Sequence, residues 1–193
     1  MQAITFENGS DTPDTTSRTA TFTLDDGDGG NSSATADVTI TIAGGNEPPT
    51  LGSLDGTTLD YTEGDGAVVI DTDDTSSVAD VDSSDFDGGS LTVSLTNGTS
   101  NDTLSIASDG TITLDSGTVY YDGTGSSGTD TSIGTVSGGD SGSDLVISLS
   151  SNASTSEVGA LMQAITFENG SNAPDTTSRT ATFTLDDGDG GNS

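Results

Sequence analysis

The chain has 193 residues, enough for one domain and part of a second, with 28% hydrophobic residues and a formal net charge of −30. Its two basic residues, Arg18 and Arg179, cannot neutralise a run of phosphates, which excludes nucleic acid and disfavours anionic membrane surfaces. With no Cys, His or Lys there are no disulfides, zinc centres, thiol nucleophiles, histidine triads or Schiff bases, and no apolar run approaches the ~20 residues that span a bilayer.

Composition alone leans toward disorder, but the local patterning argues for a fold. The acidic set is 27 Asp against 5 Glu. Glu suits helix faces; Asp suits turns and loops that hold hard cations. Residues 1–32 and 162–193 align without gaps at an offset of 161, differing at Asp11 against Asn172 and Thr12 against Ala173. Near-identity of this kind points to tandem duplication. Met1 has a twin at Met162, so the sequence reads as a window on a longer protein.

Residues 2–8 read as a strand. Residues 18–24 alternate, with Ala20, Phe22 and Leu24 on one face, and residues 34–42 alternate again through Ala36, Val38, Ile40 and Ile42. The two runs flank a Gly-rich acidic loop carrying Asp25, Asp26 and Asp28, the pattern of a β-hairpin with room in its loop. Gly44-Gly45-Asn46-Glu47-Pro48-Pro49 breaks the alternation as a proline-stiffened linker. The organisation expected is therefore residues 1–43 as the end of one repeat, 44–49 as linker, and 50–193 as most of the next repeat without its last strand.

In that second repeat, residues 50–61 read as extended with a turn at Asp55-Gly56, Thr62–Gly66 as a kink, and Ala67–Ile70 as a short buried strand. Residues 71–89 form an acidic loop with Asp80, Asp82, Asp85 and Asp87. Period-2 runs follow at Leu91/Val93/Leu95, Leu104/Ile106, Ile112/Leu114 and Val119–Tyr121. Turns fall at Asn97-Gly98, Asp109-Gly110 and Ser116-Gly117, and Asp109-Gly110 has the form of a tight hairpin. Residues 122–144 are rich in small and polar residues with one weak strand at 133–136; residues 145–149 are a strand. Ser154 and Glu157 have capping-box spacing, and Val158, Leu161, Met162 and Ile165 fall at helical intervals, predicting one or two helical turns that run into a strand at 165–168. The last copy of the acidic loop carries Asp186, Asp187 and Asp189. Many short strands separated by turns predict an all-β antiparallel sandwich with one short helix.

Tyr61–Ile70 with Glu63, Asp80-Val81-Asp82-Ser83, Ala164–Asn169, and Arg179–Leu185 followed by Asp187-Gly188-Asp189-Gly190-Gly191 together resemble the cadherin-like tandem repeats of giant bacterial surface adhesins. The resemblance covers essentially the whole chain and rests on the order and spacing of these motifs. It implies a cadherin-like or Ig-like sandwich module, repeated in an extracellular, cell-surface protein of adhesion and biofilm and stiffened by Ca²⁺ at its junctions. It also implies ligands at Glu63, at Asp80 and Asp82, and at Asn46 and Glu47. The linker departs from the usual pattern in carrying Glu47 where Asp is usual.

The chemistry of the residues points the same way. Ca²⁺ takes six to eight oxygen ligands, and Asp-rich loops with glycines offer both carboxylates and carbonyls. In a sandwich whose first strand starts at the linker, alternate loops lie at one end. Asp186, Asp187 and Asp189 are then expected near Asp80, Asp82, Asp85 and Asp87, with Asn46 and Glu47 close by. Glu63 is expected at the far end, and Asp25, Asp26 and Asp28 without partners. The alternative for any one cluster is a solvated turn. The Asp-Ser-Gly triplets at 115–117 and 140–142 read as turns rather than a protease dyad, which must share a buried proton.

The function expected is a calcium-stiffened structural repeat of a long extracellular bacterial fibre or adhesin stalk, with neighbouring copies of the same repeat as partners. Alternatives are an adhesive module binding a glycan or other cell-surface ligand through residues 122–144, and a filament subunit completed by strand exchange. An enzyme is disfavoured by the missing His, Cys and Lys and by the near-identical repetition.

Overall fold

In a computed structural model, residues 3–10, 12–29, 33–54, 58–122 and 130–190 are described. The predicted turn at Asp55-Gly56 and residues 123–129 of the segment 122–144 fall outside them. The chain divides into two compact units, Met1–Gly45 and Asn46–Ser193.

The first unit is built on β1 (Arg18–Asp25) and β2 (Ser33–Ile40), an antiparallel pair running from Arg18 opposite Ile40 to Asp25 opposite Ser33. The alternation read at 18–24 and 34–42 forms the ladder, but its apolar face has no core to cover it. Phe22, Leu24 and Val38 are exposed, as are Ile4 and Phe6. Of residues 2–8, expected as a strand, the described part, 3–8, forms none.

The second unit contains β3 (Thr50–Gly52), β4 (Val68–Val69), β5 (Ser77–Ala79), β6 (Ser90–Thr96), β7 (Asp102–Ile106), β8 (Ile112–Asp115), β9 (Thr118–Tyr121), β10 (Thr131–Gly138), β11 (Leu145–Leu149), α1 (Thr155–Gln163), β12 (Ile165–Asn169) and β13 (Thr180–Asp186). One sheet has the order β13-β6-β11-β10-β9-β8 and a second β4-β12-β7; β3 and β5 pair separately. All pairings are antiparallel. Alternate residues of both sheets meet in one buried cluster: Leu91, Val93, Ile133 and Ile147 from the larger sheet, Leu104, Ile106, Ile165 and Phe167 from the smaller. The unit is thus all-β with one short helix, consistent with a sandwich.

The helix forms where local chemistry demands it. Ser154 is its N-cap in a reciprocal capping box with Glu157, and Val158, Leu161 and Met162 are buried against the core. Two expectations change. The Asp109-Gly110 turn exists, with the Asp109 carboxylate accepting from the Thr111 and Ile112 amides, but it is no hairpin. β7 pairs with β12 in one sheet and β8 with β9 in the other, so this turn carries the chain between sheets. The hairpin turn is Ser116-Gly117, where both residues have positive φ. β5 had no period-2 signal, because it is three residues long and Val78 is its single large apolar residue.

Candidate functional site

At one end of the second unit, β6 and β13 begin and finish together: Ser90 lies opposite Asp186. The loops beyond them, 80–89 and 186–190, therefore meet. Contact is backbone to backbone. A Cβ on Gly188 would lie 2.4 Å from the Asp87 carbonyl oxygen and the same distance from the Gly89 nitrogen, and one on Gly89 would lie 2.2 Å from the Asp186 carbonyl oxygen. Only glycine fits at either place, and Gly188 also has φ +85°.

Each loop is shaped by its own carboxylates. Asp80 Oδ1 accepts from the Asp82 and Ser83 amides at 3.0 and 2.8 Å, and Asp85 Oδ1 from the Asp87 amide. Asp186 and Asp187 accept from the Gly188 and Asp189 amides, each at 3.0 Å. These are Asx turns, which Asp forms readily. Three further bonds tie the segments. The Ser83 hydroxyl donates to Asp189 (2.8 Å), the Asn46 side chain to Asp187 (2.8 Å), and the Glu47 amide to Asp82 (3.1 Å).

The structure thus brings together Asn46, Glu47, Asp80, Asp82, Asp187 and Asp189, with Asp85, Asp87 and Asp186 flanking them. Asp187 is only 3% exposed, and Asp80 Oδ2 is buried with no hydrogen-bond partner. No cation offsets these carboxylates: among the described residues the ion pairs are Arg18–Asp14 and Arg179–Asp102, neither in this cluster. Among the described residues no three Asp or Glu side chains are placed so that they could hold a metal ion together; neutral donors from Asn46, Ser83 and the backbone occupy most of the oxygens of this cluster.

Glu63 lies elsewhere. It shares a shallow cleft with Tyr61, Glu168 and Asn169 at the other end of β12, where Asn169 pairs with Asp102. In the first unit, Asp25, Asp26 and Asp28 are exposed, and the loop repeats the same Asx turns: the Gly27 amide donates to Asp25 and the Asp28 amide to Asp26. No atom approaches within 4 Å of a Cβ on Gly27. Its Asx turns thus form in both copies; what the second copy adds is a surface to dock on.

Sequence reasoning passed over the buried polar centre beside Glu63's end. Asp102 is fully buried and accepts from Arg179 Nε (2.7 Å), the Thr99 amide (2.7 Å) and hydroxyl (3.0 Å), and the Asn169 side chain (2.6 Å). Burial pushes its carboxyl pKa up, but Arg179, Thr99 and Asn169 outweigh that and hold it below the ordinary value of 3.8. The same Arg179 donates to the Asp175 and Thr177 carbonyls, as Arg18 does to those of Asp14 and Thr16. The signal was present: Asp102 has the parity of Leu104 and Ile106, so it had to point inward. Both Asp-Ser-Gly triplets are turns, with Ser116, Gly117, Ser141 and Gly142 at positive φ.

The chain matches no family model, no curated protein and no solved structure.

Proposed function

We propose that this chain is a calcium-stiffened, cadherin-like structural repeat of a long extracellular fibre or adhesin stalk on a bacterial surface, with neighbouring copies of the repeat as its partners. One observation carries the reading: the linker residues Asn46 and Glu47 are bonded to Asp187 and Asp82, so linker and both acidic loops converge where no basic residue neutralises them. Such a cluster is self-repelling. The donor set fits a hard cation, being all oxygen and rich in carboxylates, with an Asp80 oxygen left buried without a partner. Asp80, Asp82, Asp187 and Asp189 would hold the ion, with Asn46 and Glu47 fixing the linker against it. Bound there, Ca²⁺ would cross-link three segments far apart in sequence and stiffen the junction. The resemblance to cadherin-like adhesin repeats supports the same reading.

The test is a calorimetric titration and a thermal scan of the chain in Ca²⁺, in Mg²⁺ and in chelator. Saturable Ca²⁺ binding with a raised melting temperature is expected. A melting curve and an X-ray scattering profile that ignore both Ca²⁺ and chelator reject it.

A further inference from the structure

We propose that the loop joining β4 to β5, residues 71–76, is a Ca²⁺ site separate from the acidic loops at 80–89 and 186–190, with the Asp71 carboxylate and the Ser76 hydroxyl as its inner ligands. Both residues are only 3% exposed. Asp71 Oδ2 accepts from the Ser76 amide at 2.9 Å, but Asp71 Oδ1 and Ser76 Oγ are buried with no hydrogen-bond partner among the described residues. Two oxygens of one short loop are thus withdrawn from water and unmatched, where buried polar groups are ordinarily paired.

Asp102 shows what a buried carboxylate needs in this protein. It takes four hydrogen bonds, one of them from the Arg179 guanidinium. Among the described residues the Asp71 side chain takes one, from a neutral amide, and no basic residue pairs with it. None is to spare: Arg179 is engaged by Asp102, Arg18 lies beside Asp14, and the chain has no Lys or His. A carboxylate left buried and unpaired is costly, so its counter-charge has to come from solution. The end of α1 adds to the demand. Gln163, the last residue of the helix, donates to the Asp74 and Ser76 carbonyls at 3.4 and 3.0 Å, so the helix C-terminus lies against the loop. That end carries partial negative charge and has no basic residue in its last turn.

A water molecule would satisfy the two oxygens but not the charge; Ca²⁺ answers both. Its ligands are carboxylates, hydroxyls, carbonyls and water, all of which the loop can offer. Asp71, Asp73 and Thr75 alternate along it, the spacing at which Ca²⁺ loops set successive oxygen ligands, and Asp74 turns the chain at φ +55°. No three acidic side chains among the described residues are placed to share an ion, so this one rests on Asp71, Ser76, carbonyls and water. So low a ligand charge sets a weak affinity, a Kd of about 10⁻⁴–10⁻³ M. Ser76 and Gln163 also line the cleft between β5 and α1, which gives the ion a path from solvent. The three residues of β5 separate the loop from Asp80 by about 10 Å of strand, so the two sites do not share an ion.

The test is a Ca²⁺ titration of the isotope-labelled full chain followed by amide NMR shifts, with NaCl at matched ionic strength as the control for diffuse screening. The Ser76 amide, bonded to Asp71 Oδ2, and the Asp74 amide, bonded to the Asp71 carbonyl, are the reporters. The Ser83 and Asp189 amides report the acidic loops separately, so this site and the one at the linker can fail independently. Saturable shifts at Asp74 and Ser76 that NaCl does not reproduce are expected. Asp71→Asn keeps the side chain's size and an oxygen for the Ser76 amide but removes the charge, and should weaken the apparent Kd at these two amides about tenfold. Ser76→Ala removes only the hydroxyl oxygen and should weaken it about threefold, which keeps the test decisive even where Asp71→Asn does not fold. Reporter amides that ignore Ca²⁺, that follow NaCl equally, or that respond undiminished in either folded variant overturn the proposal.

Discussion

Phe6 and Phe167 sit at the same place in two copies of one sequence, 161 residues apart, yet Phe6 is 51% exposed and Phe167 only 8%. Leu24 and Leu185 differ in the same sense, 72% against 7%. Local sequence cannot cause the difference, since the flanking residues are the same. Phe167 lies on β12 between β4 and β7 and meets Tyr61 edge-on at 5.1 Å between ring centres. Phe6 has no such strands beside it, and the same residues stay out of any ladder. Strand formation here is decided by pairing partners, not by propensity.

The asymmetry predicts unequal mutational costs. Phe167→Ala removes a packed ring from the core and is expected to cost about 3–5 kcal/mol of stability. Phe6→Ala removes a ring already in water and should stay within about 0.5 kcal/mol. Urea denaturation of the second unit's transition, followed for both variants, checks the pair; equal effects would mean that the two copies have equivalent surroundings.

The two arginines divide likewise. Arg179→Met leaves the buried Asp102 carboxylate without its charged partner, a loss of about 3–5 kcal/mol. Arg18 lies 3.9 Å from the exposed Asp14, and Arg18→Met should cost at most about 1 kcal/mol. Removing both charges of the inner pair, Asp102→Asn with Arg179→Met, should recover part of the loss, read as a coupling energy in a double-mutant cycle.

Asp102 also sets a pH signature. Its folded pKa lies below the ordinary 3.8, so the carboxylate contributes stability that is fully present above that value and disappears as pH falls through the folded pKa. Glu157, buried in part but held by the Ser154 and Ser156 hydroxyls, is depressed in the same direction from 4.5. The stability difference between wild type and Asp102→Asn should therefore be constant near neutrality and shrink below about pH 4. Taking the difference cancels the general relief of charge repulsion on acidification. A gap that persists to pH 2 would show that Asp102 acts by shape alone.

What could be read in advance depended on how local the cause was. The α1 cap rests on Ser154 and Glu157, three residues apart, and β11 on five adjacent residues, so both were legible. The meeting of loops 80–89 and 186–190 followed from strand parity. The destination of the Asp109-Gly110 turn was not legible, because which sheet β8 joins depends on β9 and β10 rather than on the turn. Ser83 and Asp102 were overlooked for a related reason: each matters through a partner 106 or 77 residues away, Asp189 and Arg179.

The glycines at the loop contact supply a further comparison. Gly188 and Gly27 share left-handed φ values of +85° and +82°, so alanine at either pays the left-handed penalty of about 1–2 kcal/mol. At Gly188 the new Cβ would also strike the backbone at Asp87 and Gly89, which cannot swing aside. Gly188→Ala is expected to lower the melting temperature well beyond Gly27→Ala. It should also open the contact between the two acidic loops, visible as faster amide exchange at Asp82, Ser83 and Gly89.

Under the calcium reading, that contact and the ion depend on each other. A ligand bound only to the folded state at 100 times its Kd adds about 2.7 kcal/mol. Asp80→Asn keeps the side chain's shape and an oxygen to accept from the Asp82 and Ser83 amides, but removes the charge and the carboxylate oxygen that lies buried without a partner. In chelator the variant should be as stable as wild type or more so, because one repelling charge is gone. In Ca²⁺ it should gain less than wild type, about tenfold weaker in apparent Kd for the loss of about 1.4 kcal/mol of ion binding. Asp26→Asn in the first unit, where no second loop answers the carboxylates, should leave the Ca²⁺-dependent rise in melting temperature intact. If Asp80→Asn loses stability equally in chelator and in Ca²⁺, the Asp80 carboxylate is a turn-forming group and the cluster at this end holds no ion through it.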